Sequence, residues 1–484
     1  MRLRATIPTG IRIGYTERPA SGGTEFPVVD PATEEVVAHV ANATSPDWNE
    51  ALDLAHAAAP TLAAMPARAR SQALREIFEA VKERTEDFAT TMTVEMGKPL
   101  AEARGEVSYG NEYFRWFSEE AARINGRVTP APAGGGTIAT TKHPVGPVLA
   151  ITPWNFPLAM ATRKIAPALA AGCPILVKPA AETPLTLLLL GKVLTDVLRR
   201  LDFPDGTVSI LPTTHAADLS AELMADARLK KVTFTGSTAV GKTLVRQSAD
   251  NLQRTSMELG GNAPFVVAGD ADLDLVLEAA LAAKMRNGGE ACIAANRFLV
   301  HEDLAKEFTE RLTARMGEFV TGHGLDDSTT LGPLITAEQR DRVATLVKDA
   351  VSGGATVLIG GETPTGAGYF YPATVLTNVA PTSRIMHEEI FGPVATVTSF
   401  HNLDQAVATA NDTPFGLAAY GFTENIHTAK YLASALNAGM VGINRGAISD
   451  PAAPFGGIKQ SGFGREGGSE GIEEYLETRY IALQ

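Results

Sequence analysis

Between residues 47 and 124 apolar positions recur at three-and-four spacing, most clearly in ARSQALREIFEAVKERTEDFATTM, and predict helices with one apolar face. From PVGPVLAITP onward the pattern changes to short apolar runs that alternate with helical segments. Strand VLAIT leads to helix LAMATRKIAPALAAG, and strand PILVKP to helix TPLTLLLLGKVLTDVLRR. Strand TVSILP then precedes a helix near 216–227, and strand KVTFTG follows. Such alternation predicts a parallel sheet with crossover helices, a doubly wound α/β domain. A second alternating stretch runs from APFVVAG through NRFLV and ATVLIGG to VATVTSF, and predicts a second α/β domain. Near the start, GGTEFPVVDPATEEVVAHV reads as a short strand pair punctuated by D-P-A-T. Segment 125–145, rich in Pro, Gly and Thr, interrupts the first domain as either a loop or a protruding hairpin.

Composition narrows the classes. At 484 residues two or more packed domains are expected, and 45% hydrophobic with 20% charged residues describes an ordinary globular chain. A net charge of −13 without basic blocks argues against nucleic acid and anionic membrane surfaces as partners. MRLRATIPTG carries no apolar core of a secretory leader, and the longest apolar run, near LTLLLLGKVL, is far short of a bilayer span. Two Cys cannot build a disulfide framework and fit a reducing cytoplasm. The nine His are scattered, with no H-x-x-E-H or C-x-x-C pair, so no metal is expected.

Several short segments carry candidate chemistry. FTGSTAVGKT, with Gly236, Gly241, Lys242 and Thr243, satisfies the G-x-x-x-x-G-K-[ST] pattern of a nucleotide-phosphate loop, between a predicted strand and helix. Cys292, in RNGGEACIAANR, lies in a Gly-rich bend and is more exposed than a core Cys, although a small buried hydrophobe is the plain alternative. Cys173 enters an apolar strand and reads as core. PWNFP places Trp154 and Asn155 at the carboxyl end of a predicted strand, where ligands of open α/β sheets gather. KPAAETP puts Lys178 at the end of the next strand. MELGGNAP offers Glu258, EEIFGP offers Glu389 and Phe391, and PFGGIKQSGFGRE is a further Gly-rich turn.

Taken in order, PWNFP, KPAAETP, FTGST, MELGG, the Cys292 segment, EEIFGP and PFGG resemble the successive signature segments of the aldehyde dehydrogenase superfamily. The resemblance covers nearly the whole chain, and Glu258 stands 34 positions before Cys292, as in that family. It implies a Rossmann-type dinucleotide domain (1–124 and 146–257), an α/β catalytic domain (258–456) and a small β oligomerisation element (125–145 and 470–484) that assembles a homodimer or homotetramer. It also implies that the phosphate-loop match is incidental, with Gly236, Ser237 and Gly241 lying along a dinucleotide instead.

The resemblance implies oxidation of an aldehyde to a carboxylic acid. A Cys292 thiolate attacks the carbonyl, its backbone N–H and the Asn155 amide hold the oxyanion, hydride passes to NAD or NADP, and Glu258 activates water against the thioester. Lys178 and Glu389 would hold the nicotinamide-side ribose, with Trp154 and Phe391 as cofactor neighbours. Ala181 stands where NAD-preferring relatives carry a Glu, so NADP is expected to be accepted, with Glu182 one place later as the possible substitute. Within the superfamily, EMGKPLAEARGEV, ATRKIAPALAAG and the C-terminal REGGSEGIEEYLETRYI resemble succinate-semialdehyde dehydrogenases. There Arg163, Arg286 and Ser449 would bind the substrate carboxylate. The alternatives are a dehydrogenase of glutarate semialdehyde or of an uncharged aromatic aldehyde. The presence of Glu258 argues against a CoA-acylating enzyme, and Cys292, Glu258 and Asn155 together argue against an inert binding protein.

Overall fold

A computed structural model describes residues 7–484. Residues 1–6, which open the segment without a predicted leader and the expected first domain, lie outside the described residues.

Two large sheets carry the chain. The first has eight strands, in the order Gly462–Phe463, Arg254–Glu258, Lys231–Thr235, Val148–Ile151, Ile175–Lys178, Val208–Ile210, Ile11–Ile13 and Thr16–Arg18. The five central strands are parallel, with Lys231 opposite Val148 and Val148 opposite Ile175. From Val148–Ile151 the chain winds outward through two strands, then returns to the opposite side for Lys231–Thr235 and Arg254–Glu258. The strand order therefore reverses between Val148–Ile151 and Lys231–Thr235. A crevice opens at the carboxyl ends of such a pair. PWNFP follows one of these strands and Gly236–Ser237 the other.

The second sheet has seven strands, with Val394–Phe400, Ala295–His301, Ala263–Val267, Ala418–Phe422 and Met440–Ile443 side by side and parallel. Thr374–Thr377 continues it in parallel, and Thr356–Ile359 closes the edge antiparallel. Segment 125–145 resolves as a hairpin, Arg127–Pro130 against Thr137–Pro144, and the C-terminal strand Leu476–Leu483 pairs along its second strand. The strand pair predicted near the start is Glu25–Val29 with Val36–Ala41.

The periodic helical region divides into four helices, Ser45–Ala64, Ala67–Glu83, Thr85–Met96 and Leu100–Glu120. The periodic run ARSQALREIFEAVKERTEDFATTM breaks at Arg84 (φ −108°, ψ 22°), where Glu86 and Asp87 suit the first turn of a new helix. Helix Pro157–Ala171 is buried on every side. It starts with Pro at its first position and ends at Gly172, whose φ of +91° suits a left-handed cap. Such a helix must find ionic partners for Arg163 and Lys164.

Candidate active site

A cleft of about 330 Å³ opens at the crevice between the two sheets. Trp154, Asn155, Gly236, Ser237, Glu258, Cys292, Glu389 and Phe391 line it together, although they are spread over more than two hundred positions of chain. Sequence reasoning missed Met160, Gln339 and Arg342 on the same walls.

Each wall has a local cause. Glu258 ends its strand, and Gly260 and Gly261 follow because neighbouring groups leave no room for a side chain. A Cβ on Gly260 would sit 2.7 Å from Glu389 Oε2, and one on Gly261 would sit 2.4 Å from the carbonyl oxygen of Cys292. Glu389 accepts the Gly261 N–H at 2.9 Å. Arg342 donates to the Glu389 carbonyl at 2.7 Å and Gln339 to the Phe391 carbonyl at 2.6 Å, so the EEIFGP turn is held from outside. The Phe391 ring meets Trp154 edge-on, with centroids 5.3 Å apart.

Glu258 is 3% exposed, and neither of its carboxylate oxygens has a hydrogen-bond partner. Burial raises its pKa well above the ordinary carboxylate range, and nearby Glu466 adds to the rise. Cys292 is half-buried, and burial pushes its thiol up to about 12, with Arg163 pulling the other way. Burial thus opposes, and the nearby Arg163 charge favours, the thiolate that attack on a carbonyl needs. Cys173 is fully buried, donates to the Tyr475 carbonyl and is pushed up to about 11 by burial, as suits a core residue.

The phosphate-loop pattern lacks its loop. Helix Thr238–Ser248 begins directly after Ser237, whose hydroxyl caps it by accepting the Val240 N–H, so Gly241, Lys242 and Thr243 are already helical. Lys242 reaches Gln460 at 3.0 Å, Thr243 donates to the Ala239 carbonyl, and Gly241 is buried against Leu259. What remains is a helix N-terminus at the cleft, a site that favours phosphate. With Gly236 and Ser237 beside it, and the Glu389 carboxylate and the Trp154–Phe391 pair across the cleft, the residues fit a dinucleotide. Lys178 and Ala181 line adjoining hollows along the same sheet edge. Burial lowers Lys178 to about 8, partly offset by Glu182, which is itself exposed.

Arg163, Arg286 and Ser449 lie outside the cleft lining but join through two tyrosines. The Tyr109 hydroxyl contacts those of Ser449 and Tyr113, and the Arg286 guanidinium lies 5.3 Å from the Tyr109 ring. Arg163 lies 5.7 Å from the Tyr113 ring and 3.8 Å from the Phe455 ring, and donates to the sulfur of the cleft residue Met160. Tyr109 and Tyr113 went unread in the sequence, where their i, i+4 spacing was the available signal. Among the described residues no group of three His, Cys, Asp or Glu could hold a metal ion, and no helix is long and apolar enough to cross a membrane.

The chain belongs to the aldehyde dehydrogenase family, whose model matches residues 18–481. It is 52% identical to a succinate-semialdehyde dehydrogenase of Paenarthrobacter nicotinovorans over 93% of this chain and 99% of that one. A glutarate-semialdehyde dehydrogenase of Pseudomonas putida is 42% identical, over 96% and 95% respectively. Among solved structures, an NADP-dependent enzyme of E. coli superposes with a TM-score of 0.97 at 40% identity, covering 100% of both chains.

Proposed function

We propose that this enzyme oxidises a semialdehyde with a distal carboxylate, succinate semialdehyde foremost, to the dicarboxylic acid. The observation that carries the reading is the junction of Arg163, Arg286 and Ser449 at Tyr109 and Tyr113, beside the cleft that holds Cys292. Arg163 keeps Nη2 buried without a hydrogen-bond partner, and a buried guanidinium nitrogen matches a carboxylate oxygen. Identity to the Paenarthrobacter succinate-semialdehyde dehydrogenase supports the same substrate. The glutarate homologue, one methylene longer, is the second reading, favoured by the 42% identity to the Pseudomonas enzyme.

The Cys292 thiol releases its proton to solvent, and the thiolate sulfur adds to the aldehyde carbon. The Cys292 backbone N–H and the Asn155 amide receive the oxygen of the thiohemiacetal, as fixed dipoles that need no reorganisation. Trp154, Lys178, Ala181, Gly236, Ser237, Gly241, Glu389 and Phe391 would hold a nicotinamide cofactor, which would supply the hydride acceptor. Glu258 then takes a proton from water as it attacks the thioester, releasing the acid and restoring the thiol. We assign residues 7–124 and 146–257 to cofactor binding and 258–456 to catalysis. The hairpin of 125–145 and the C-terminal strand are assigned to assembly of a homodimer or homotetramer. The strand Leu476–Leu483 borders its sheet with Tyr480 and Leu483 exposed, the kind of edge that invites pairing. Two free cysteines suit the cytoplasm.

A spectrophotometric screen of succinate semialdehyde, glutarate semialdehyde, butanal and benzaldehyde, each with NAD and NADP, tests the reading. The highest kcat/KM is expected for succinate semialdehyde. A preference for benzaldehyde would refute the carboxylate site.

A further inference from the structure

No step above uses Lys98, which lies 3% exposed at the turn between helices Thr85–Met96 and Leu100–Glu120. A buried ammonium requires partners. Lys98 has two: the Glu106 carboxylate, and the backbone carbonyl of Asn155 at 2.8 Å. Its ammonium also lies 4.2 Å from the centroid of the Phe156 ring. Glu106 in turn accepts the N–H groups of Leu158 and Ala159, at 2.9 and 3.1 Å, in the first turn of the helix that Asn155 precedes.

A second donor meets the same carbonyl. Asn287 Nδ2 lies 3.0 Å from the Asn155 carbonyl oxygen and 3.1 Å from that of Glu290. The Asn155 side chain donates to this same Glu290 carbonyl at 2.9 Å, and its Oδ1 has no partner. Asn287 is held at φ +54°, a left-handed conformation, and its own N–H reaches Glu102 at 2.8 Å. Main chain and side chain of Asn155 are therefore both fixed, the first by Lys98 and Asn287, the second by a carbonyl that Asn287 also holds. Arg286, the neighbour of Asn287, lies 5.0 Å from the Phe156 ring that Lys98 also contacts. The braces of Asn155 and one arginine of the carboxylate site thus share a segment and a ring.

We infer that Lys98 and Asn287 are positioning residues that set the height and direction of the Asn155 amide toward the developing oxyanion. The inference rests on Asn155 being the oxyanion donor. An oxyanion donor works through a geometry fixed before reaction, so loosening its support costs rate rather than substrate affinity. Helix capping belongs to Glu106, whose buried carboxylate also loses its counter-ion in Lys98→Met, so Asn287→Ala, which breaks no ion pair, isolates the pull on Asn155. The pull on Asn155 belongs to Lys98 and Asn287.

The test compares Lys98→Met, Asn287→Ala and Asn155→Ala, and the double variant Lys98→Met/Asn155→Ala. Two rates are read: kcat with succinate semialdehyde, and hydrolysis of p-nitrophenyl acetate, an acyl transfer to Cys292 that also builds an oxyanion. Both rates are expected to fall about tenfold to a hundredfold in Lys98→Met and in Asn287→Ala, with KM and the NADP dissociation constant within about threefold of wild type. Lys98→Arg, which keeps a donor, is expected to recover part of the loss. The double variant is expected to be no slower than Asn155→Ala alone, because the brace has nothing left to hold. Losses that multiply in the double variant, or that appear in KM instead of kcat, would overturn the inference. If Asn155→Ala itself keeps both rates, the oxyanion assignment falls first, a result separable from failure of the brace. Should Lys98→Met not fold, Asn287→Ala carries the same comparison from the other side of the carbonyl.

Discussion

Arg163 Nε lies 2.8 Å from Glu466 Oε2, and the next residue, Lys164, holds the other oxygen of the same carboxylate. Two cations on a fully buried helix thus share one anion brought from 302 positions along the chain. Burial alone would raise the Glu466 pKa, but Lys164 and Arg163 outweigh it and hold the group ionised. Removing one partner of a buried ion cluster leaves charge uncompensated, at a cost of about 3–5 kcal/mol. Glu466→Ala is expected to lose stability on that scale in urea denaturation. A loss below about 1 kcal/mol, the range of an exposed pair, would show that the cations find water instead.

The two arginines of the proposed carboxylate site differ in how free they are. Arg163 meets Glu466 at ion-pair distance without hydrogen-bond alignment, whereas Arg286 contacts two aromatic rings and pairs with no carboxylate among the described residues. Arg286→Ala is therefore expected to raise KM for succinate semialdehyde by about tenfold to a hundredfold, the loss of a charge-assisted contact, with KM for butanal little changed. Arg163→Ala should raise the same KM and also lower kcat, because its charge acts on Glu466 and Glu258. Equal damage to charged and uncharged aldehydes would make these arginines supports of the fold.

The two cysteines are expected to separate cleanly. Cys292→Ser should abolish turnover with cofactor binding intact, since a serine hydroxyl is far less acidic than a thiol and nothing here activates it. Cys173→Ser should keep turnover and lose some stability, because the site is apolar and closed. Turnover retained in Cys292→Ser, measured by reduced-cofactor absorbance, would remove the nucleophile assignment.

Glu258 carries a pH signature. A general base works only when ionised, and burial raises this carboxyl above the ordinary value of about 4.3. Deacylation is thus expected to be full above the raised pKa and to fall about tenfold per pH unit below it. Glu258→Gln should form the acyl-enzyme in a burst of reduced cofactor and then release acid slowly, with the pH dependence gone. A variant that loses only aldehyde affinity, with no burst, would assign Glu258 another role.

Much of this was legible along the chain, for physical reasons. Strands of the parallel sheets are buried on both faces, so they appear as unbroken apolar runs such as PILVK and APFVV. The cleft residues sit at the ends of those strands, where Gly and Pro mark the bends. The short strands Ile11–Ile13, Thr16–Arg18 and Gly462–Phe463 had no such mark, because two or three residues carry no period and their pairing is set by distant neighbours. Lys98 and Tyr109 read as ordinary residues of a helical region. Their significance arises only when helix Leu100–Glu120 packs against Pro157–Ala171 and brings both toward the PWNFP bend.

Cofactor choice is expected to turn on the hollow lined by Ala181, near the end of the Lys178 strand. Ala181 lines it with Glu182, Thr214 and Thr336, and Glu182 is exposed rather than turned inward as a buried partner would be. A carboxylate at position 181 would repel a 2′-phosphate held in this hollow, by on the order of several kcal/mol at close approach before solvent relaxes it. Alanine removes it. NADP is therefore expected to be accepted, and Ala181→Glu should raise the ratio of kcat/KM for NAD to that for NADP by about tenfold or more. Glu182→Ala, by contrast, should leave the ratio nearly unchanged. A large shift in Glu182→Ala with none in Ala181→Glu would mean that the exposed carboxylate swings in on binding and sets the preference in place of the missing one.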